Sequence, residues 1–260
     1  MSRRPNANER LTRDARTRRG LRVSDRTIRF GLKPVVFLAS LGPFAWLAWA
    51  GLTGNLSANP LSDLTLETGV WTIRFVCITL ALTPLRRLTG WNGFIRFRRM
   101  AGLFAFFYGS LHFLTYTIAD RFASLDFPDG MLALRTLRGL FASIGEDIYK
   151  RPYITVGFTA FVLMVPLAVT STAGMIRRLG GKRWNRIHRL IYITAILAVV
   201  HYYWLVKADV RRPIVYGLVV GALLGFRFWR SRAKTTPVPR ADVAPARGLF
   251  EEGRSGTEVP

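Results

Sequence analysis

The segment HRLIYITAILAVVHYYWLV (residues 188–206) decides the fold class of this chain. At 1.5 Å per residue it is long enough to cross a hydrocarbon layer about 30 Å thick. Apart from its histidines, its only charged residue is Arg189. A water-soluble helix of this length would show a polar face, and this one does not. The segment is therefore predicted to be a membrane-spanning helix.

Five other segments have the same length and apolar character. They are residues 34–52, 69–85, 100–119, 153–171 and 213–229. The sequence thus predicts an all-α fold, a polytopic six-helix transmembrane bundle over residues 33–229. Residues 1–32 and 230–260 are predicted to be disordered cytoplasmic extensions, because they are polar and rich in Arg, Pro and Gly.

The charge distribution predicts the orientation of the bundle. The chain has 38 Lys and Arg against 15 Asp and Glu, a formal charge of +23. Residues 1–33, 86–99, 177–189 and 227–260 carry a net +22, the other three loops sum to zero, and Arg74 supplies the remainder. This asymmetry follows the positive-inside rule and predicts that both termini lie in the cytoplasm. The charge then faces lipid and cytoplasm, which argues against nucleic-acid binding.

The outer loop at residues 120–152 contains a further helical pattern. Its apolar residues recur at helical spacing, which predicts a short amphipathic helix on the outer surface: Leu137, Leu140, Phe141, Ile144 and Ile148. Such a helix could cover the bundle or contact a partner, and the pattern does not distinguish the two.

The three histidines of the chain all fall in predicted spans. His112 lies 12 residues into the third span and His201 lies 13 residues into the fifth, on axes that run in the same direction. At 1.5 Å per residue these depths are about 18 Å and about 19.5 Å. Two imidazoles at one level match the requirement of bis-histidine haem ligation. Zinc is less favoured because it usually takes four ligands, and no Cys, Asp or Glu lies at that depth. The alternative is that each histidine is only hydrogen-bonded within the bundle.

Other basic residues within or beside the spans are also candidate cofactor ligands. His188 precedes His201 by 13 residues, which is more than three helical turns. It therefore lies at the cytoplasmic boundary, where Arg98 and Arg99 lie on the third span. His188 could ligate a second haem, contact a flavin or quinone, or cap a helix. Arg74, in the second span, could reach a haem propionate or extend to the outer headgroups.

Four motifs resemble the MsrQ (YedZ) family, which belongs to the ferric reductase-like transmembrane superfamily. They are TPLRRLTG (83–90), RFRRMAGLFAFFYGSLHFLTY (96–116), RPYITVGF (151–158) and LAVTSTAGMIRRLGGKRWNRIHRLIYITAILAVVHYYWLVK (167–207). The resemblance covers about residues 33–229. Both extensions fall outside it.

This resemblance implies a function in electron transfer. In the family, a six-helix membrane subunit with haem b and FMN passes electrons to MsrP, a periplasmic molybdopterin-containing methionine sulfoxide reductase that repairs oxidised proteins. It implies that His112 and His201 hold the haem iron, that His188 is a third functional histidine, and that Arg98 and Arg99 serve the flavin or quinone end. A cytoplasmic flavin reductase or the quinone pool would then be the electron donor.

Three hypotheses about function follow. The chain is expected to be an electron-transfer subunit of an oxidoreductase system and not its catalytic subunit. Alternatively, it is a ferric or other small-molecule transmembrane reductase on the same haem framework. A haem-independent membrane scaffold, recruiting a partner through the outer helix, is the third hypothesis.

Overall fold

The computed structural model describes residues 24–119, 139, 142, 144–206 and 208–232, and every regular element within them is helical. This confirms the all-α class. Of the two predicted disordered extensions, residues 1–23 and 233–260 fall outside the described residues, whereas residues 25–32 and 230–232 are helical. Leu137, Leu140 and Phe141 of the predicted outer helix also fall outside the described residues, although residues 144–150 at its end are helical.

Seven long α-helices make up most of the described part of the chain. They are α1 (Lys33–Leu52), α2 (Pro60–Thr89), α3 (Phe94–Leu114), α4 (Pro152–Val169), α5 (Ala173–Ile187), α6 (Leu190–Leu205) and α7 (Arg211–Arg232). A short α-helical turn, Asp25–Thr27, and a π-helical segment, Ile28–Leu32, precede α1, and a second π-helical segment, Thr115–Ala119, continues α3.

Four of the described helical stretches are long and apolar enough to cross a membrane. They are Ile28–Leu52, Pro60–Thr89, Pro152–Val169 and Arg211–Trp229. Helix α3 carries three arginines in its first two turns, which lower its hydropathy, and α6 has only 16 residues. The structure therefore supports a polytopic membrane protein, while the count of six crossings and the side of the termini stay predictions.

Helix α2 is longer than the predicted span 69–85 because local signals fix both of its ends. Pro60 occupies the first turn, where its missing N–H costs nothing. The Asn59 side chain caps that turn by accepting a hydrogen bond from the Ser62 backbone N–H at 3.2 Å. At the other end Gly90 adopts φ 72°. This left-handed conformation stops the helix and is favourable mainly for glycine.

Helix α5 lies where the sequence analysis expected only a basic loop. The Thr172 hydroxyl accepts a hydrogen bond from the Met175 N–H at 3.3 Å and caps its first turn. None of the residues of α5 is buried. Gly180, with φ 69°, interrupts the helix near its middle. Helix α5 connects α4 to α6 at the end of the bundle where the chain passes from α2 to α3. We call this end of the bundle the basic end, and the opposite end of the bundle the distal end.

The core is built around α2. In the apolar part of α2, 56% of the residues are buried. The corresponding share is 17% in Ile28–Leu52 and in α4, and 11% in α7. The stretch Ile28–Leu52, α4 and α7 therefore leave most of their apolar residues unburied, as membrane helices do towards lipid. Residues of α2, α3, α4, α6 and α7 share one buried cluster: Ile73, Phe75, Val76, Cys77, Leu80, Phe104, Ala105, Tyr108, Met164, Ile191, Ala195 and Val220.

The Tyr108 hydroxyl joins α1 to this core, in addition to the ring contacts Phe37–Phe104 and Phe44–Phe107. Tyr108 is fully buried, and its hydroxyl donates to the Ser40 carbonyl at 2.8 Å while accepting from the Phe44 N–H at 3.1 Å. In an undisturbed helix the Phe44 N–H would bond the Ser40 carbonyl directly. The Tyr108 hydroxyl is inserted into that bond beside Pro43, so it satisfies both backbone groups where the helix ladder opens.

Candidate functional site

The structure brings His112 and His201 together near the distal end of the bundle. His112 lies near the end of α3 and His201 lies in the last two turns of α6. Their ring centroids are 6.1 Å apart and their planes are inclined by 74°. The two imidazoles thus face each other from helices that are distant in sequence.

Hydrogen bonds to the backbone fix the tautomer of each ring. The Nδ1 atom of His112 is 2.8 Å from the Thr65 carbonyl oxygen, and that of His201 is 2.7 Å from the Tyr153 carbonyl oxygen. Because a carbonyl oxygen only accepts, each Nδ1 carries the hydrogen and donates it. Each Nε2 therefore keeps its lone pair, the form in which a histidine binds a metal.

Two glycines make room for these rings. A Cβ atom on Gly157 of α4 would lie 2.6 Å from Nδ1 of His201, and one on Gly69 of α2 would lie 3.0 Å from Nδ1 of His112. Ordinary contacts of such an atom are 3.4–4 Å. Any larger residue at either position would displace the imidazole, so both histidines depend on close approach to a bare helix backbone.

Both histidines line a cavity of about 560 Å³. This volume lies within the range of about 300–1,000 Å³ that is typical of cofactor pockets. Aliphatic and aromatic side chains from α2, α3, α4 and α6 form most of the wall, and among the residues that the structure describes no Asp, Glu, Lys or Arg side chain lines it. A flat, largely apolar ligand suits such a wall.

The histidine pair fits one shared metal ion with a macrocycle. A metal–nitrogen bond is about 2 Å long, and the centre of a five-membered ring with 1.33 Å bonds lies about 1.1 Å from each of its atoms. Two imidazoles that share one ion through Nε2 therefore have centres at most about 6 Å apart, and the separation found here is close to that limit. Within the described residues no group of three His, Cys, Asp or Glu could hold a metal. The remaining ligands would have to come from the cofactor, as they do in haem.

The helical residues 144–150 cover this cavity. Ile144 and Ile148 belong to its wall, and the buried Asp147 accepts a hydrogen bond from the Tyr116 hydroxyl at 2.5 Å. The Thr155 hydroxyl of α4 donates to the Ile148 carbonyl. The described end of the predicted outer helix is thus packed on the bundle.

His188 is remote from the other two histidines. It lies in the turn between α5 and α6, so α6 begins two residues later than the predicted span. The Trp184 ring stacks on it at 3.8 Å, and its Nε2 lies 3.5 Å from the Ser171 hydroxyl. Burial lowers the pKa of His188, and the positive charge of Arg98 lowers it further. The imidazole is therefore neutral at pH 7, and its buried Nδ1 has no hydrogen-bond partner among the described residues.

The neighbouring residues Arg98 and Arg99 point in different directions. Arg98 is half-buried and interacts electrostatically with His188, Tyr192 and Arg227, whereas Arg99 is exposed. Successive residues of an α-helix are separated by about 100°, so one face cannot present both. Of the basic pair, only Arg98 faces the inside of the bundle.

Arg74 lies beside the cavity but does not line it. Its Nε donates to the Tyr216 hydroxyl at 3.2 Å, and its guanidinium carbon lies 4.4 Å from the centre of the Trp71 ring. These contacts hold the guanidinium between α2 and α7, outside the wall formed by the histidines.

Sequence reasoning missed three residues of these sites. Gly69 and Gly157 are single glycines in apolar spans, and nothing in the sequence indicates that a histidine of another helix lies against them. Arg227 was counted only as part of the basic C-terminal tail. Its position in an apolar helix, after Gly225 and Phe226, was the signal that could have singled it out.

Comparison with known proteins supports the resemblance found in the motifs. Residues 68–199 match the family described as ferric reductase like transmembrane component. A protein from Herminiimonas arsenicoxydans, named protein-methionine-sulfoxide reductase heme-binding subunit MsrQ, is 48% identical over 208 residues, 78% of this chain and 88% of that protein. Proteins of the same name from Ralstonia nicotianae and Xanthomonas euvesicatoria are 50% and 45% identical; the matches cover 75% and 82% of this chain and 83% and 94% of those proteins. The chain belongs to the MsrQ family.

Membership of the MsrQ family, together with the apolar helices, identifies a multi-pass membrane protein. The matched residues 68–199 include His112, His188 and Gly157 and stop two residues before His201. No solved structure matches the chain.

Proposed function

We propose that this chain is the haem-carrying electron-transfer subunit of a methionine sulfoxide reductase system, with haem b held between His112 and His201. The observation that carries the proposal is the pair of imidazoles, 6.1 Å apart on the wall of one cavity whose described lining is uncharged. The names of the relatives, which are heme-binding subunits of a protein-methionine-sulfoxide reductase, support the same cofactor.

The residues of the chain would hold and orient the cofactor. His112 and His201 would each offer one ring nitrogen to the haem iron, and the Thr65 and Tyr153 carbonyls keep the rings in the ligating tautomer. The largely apolar wall, which includes Ile144 and Ile148, would surround the cofactor. When bound, haem supplies a centre that takes up and releases one electron at a time.

The direction of electron flow follows from the predicted orientation. We place six helices across the inner membrane, with both termini and the basic end in the cytoplasm and the histidine pair nearer the periplasm. FMN or a quinol would bind at the basic end near Arg98, Arg99 and His188. A cytoplasmic flavin reductase or the quinone pool would be the donor, and the periplasmic molybdopterin subunit MsrP the acceptor.

The ligand assignment is tested by replacing one histidine. Purified His112→Ala should lose the low-spin bis-histidine absorption spectrum, because only one axial nitrogen remains. Ser110→Ala is the matched control, since its hydroxyl bonds the Phe106 carbonyl of its own helix and it does not line the cavity. An unchanged spectrum and haem content in His112→Ala would exclude the assignment, and colourless wild-type protein from haem-replete cells would favour a scaffold.

The family description, ferric reductase like, favours a second candidate, direct reduction of chelated iron. The two functions are distinguished by measuring which acceptor oxidises the reduced protein in vesicles. Oxidation of the haem by MsrP, with methionine sulfoxide as the final acceptor, supports the first proposal. Oxidation by ferric chelates alone supports the second.

A further inference from the structure

The basic end contains a guanidinium whose environment is incomplete. Arg227 of α7 donates from Nη1 to the Tyr192 hydroxyl at 2.7 Å and from Nη2 to the Leu80 carbonyl at 2.9 Å. Its Nε is buried and has no hydrogen-bond partner among the described residues. Two of its three nitrogens therefore fix the side chain in place, and the buried third lacks a hydrogen-bond partner among the described residues.

A second guanidinium faces the first. Arg98 of α3 is half-buried and close enough to Arg227 for the two positive charges to interact, and Tyr192 adjoins both. Among the residues that the structure describes, no carboxylate pairs with either arginine. Desolvated like charges repel each other, and buried charges in proteins are normally paired. An anion bound near the two arginines would compensate their charges.

We propose that Arg227 and Arg98 together bind an anionic oxygen group, a phosphate monoester or a carboxylate, of the cofactor at the basic end. The inference rests on the proposed function, which places such a cofactor there, and it adds a residue that the sequence motifs do not point to. Guanidinium groups suit this role because their planar N–H donors match phosphate and carboxylate oxygens. The exposed Arg99 does not share the site.

The surroundings favour a cofactor with a flat ring. The Trp184 and His188 rings stack at 3.8 Å beside Arg98, and the Trp184 indole is anchored by a 3.0 Å hydrogen bond to the Thr170 carbonyl. The buried Nδ1 of His188 provides a second polar atom that is unpaired within the described part of the chain. An anionic group on the arginines would place an attached aromatic ring near this stacked pair.

The experiment compares FMN with riboflavin, which lacks the phosphate. Binding of each to purified protein is followed by quenching of flavin fluorescence, and haem per protein is measured in the same samples. Arg227→Gln should weaken FMN binding at least tenfold, to the affinity of riboflavin, and leave riboflavin unaffected. Arg87→Gln, which removes an exposed charge at the same end, should stay within twofold of the wild type.

The outcomes separate the sources of the anion. Loss of FMN affinity in Arg227→Gln identifies the phosphate. Unchanged FMN affinity with loss of part of the haem identifies a propionate carboxylate of a second haem at the basic end, because the haem between His112 and His201 would lie too far from Arg227. If Arg227→Gln leaves both the FMN affinity and the haem content within twofold of the wild type, the inference is wrong. It is also wrong if Arg87→Gln lowers them as much as Arg227→Gln does.

Two further measurements keep the test decisive. If Arg227→Gln does not fold, a wild-type preference for FMN over riboflavin that inorganic pyrophosphate abolishes supports the site, and equal affinities overturn it. Wild-type protein that holds neither flavin nor haem would overturn the proposed function and this inference with it. Wild-type binding that survives Arg227→Gln overturns the inference alone.

Discussion

Gly157→Ala should expel His201 from its position in the cavity. The added Cβ would lie 2.6 Å from Nδ1 and 2.7 Å from Cε1 of the ring, whereas ordinary contacts are 3.4–4 Å. The ring must therefore retreat by about 1 Å to reach a normal separation. The same Nδ1 donates to the Tyr153 carbonyl at 2.7 Å. A retreat of this size breaks that hydrogen bond as well, because such bonds weaken steeply once they are stretched.

The expected loss can be estimated from these two effects. Removing an outer hydrogen-bond partner of a ligating histidine typically lowers metal affinity about 10- to 100-fold. Overpacking a well-packed site costs about 1–3 kcal/mol. Gly69→Ala should have a smaller effect, because its Cβ would lie 3.0 Å from His112. Gly221→Ala is the control, since nothing lies within 4 Å of its Cβ.

The assay measures haem per protein and the rate of haem transfer to an excess of apomyoglobin for the three purified variants. Haem retention should fall in the order Gly221→Ala, Gly69→Ala, Gly157→Ala, with a shift from low-spin to high-spin absorption in the last. If Gly157→Ala keeps the haem content, spectrum and transfer rate of Gly221→Ala, the close packing of His201 against α4 does not control cofactor binding, and the reasoning is refuted.

Three further predictions concern the bundle itself. Tyr108→Phe should lower the free energy of unfolding by about 1–3 kcal/mol, because two backbone groups near Pro43 lose their partner. Thermal unfolding in detergent checks this, with Phe107→Leu as a control for aromatic packing. An unchanged melting temperature of Tyr108→Phe contradicts it. Asp147→Asn should weaken the hydrogen bond from Tyr116 and raise the rate of amide hydrogen exchange at residues 144–150, with exchange in α2 as the internal control. Equal exchange rates at residues 144–150 in the wild type and in Asp147→Asn would contradict this. A fluorescent protein fused after Pro260 should be bright, because the predicted orientation places it in the cytoplasm, where it folds. Activity of alkaline phosphatase fused at the same residue would instead place that end of the chain in the periplasm.

The sequence predicts features that depend on position along a helix. His112 and His201 could be assigned to one level because both lie at similar distances from the starts of parallel spans. The predicted span 69–85 is shorter than α2 at both ends. A hydropathy pattern depends on apolar residues and does not detect the cap at Asn59 or the turn at Gly90. Helix α5 was missed because its polar composition and Gly180 resemble a loop.

Features that depend on contacts between distant helices could not be predicted. The pair Arg98 and Arg99 was treated as one unit, yet the twist of the helix separates the two side chains. Arg227 approaches Arg98 only because α7 packs beside α2 and α6, a contact that no local pattern encodes. Arg74 was expected to point to the cofactor or to headgroups, and its hydrogen bond to Tyr216 follows equally from tertiary packing.

The short length of α6 has a consequence for the lipid around it. The helix has 16 residues. At 1.5 Å per residue it extends over about 24 Å, which is about 6 Å less than a typical hydrocarbon layer. A bilayer accommodates such a mismatch by thinning locally. The exposed basic helix α5 leads into this short helix through the turn at His188 and Arg189, and it would lie at the depressed lipid surface. If α6 crosses the membrane as proposed, the insulating layer would be thinnest beside it, and a donor on the cytoplasmic side would come several ångströms closer to the histidine pair.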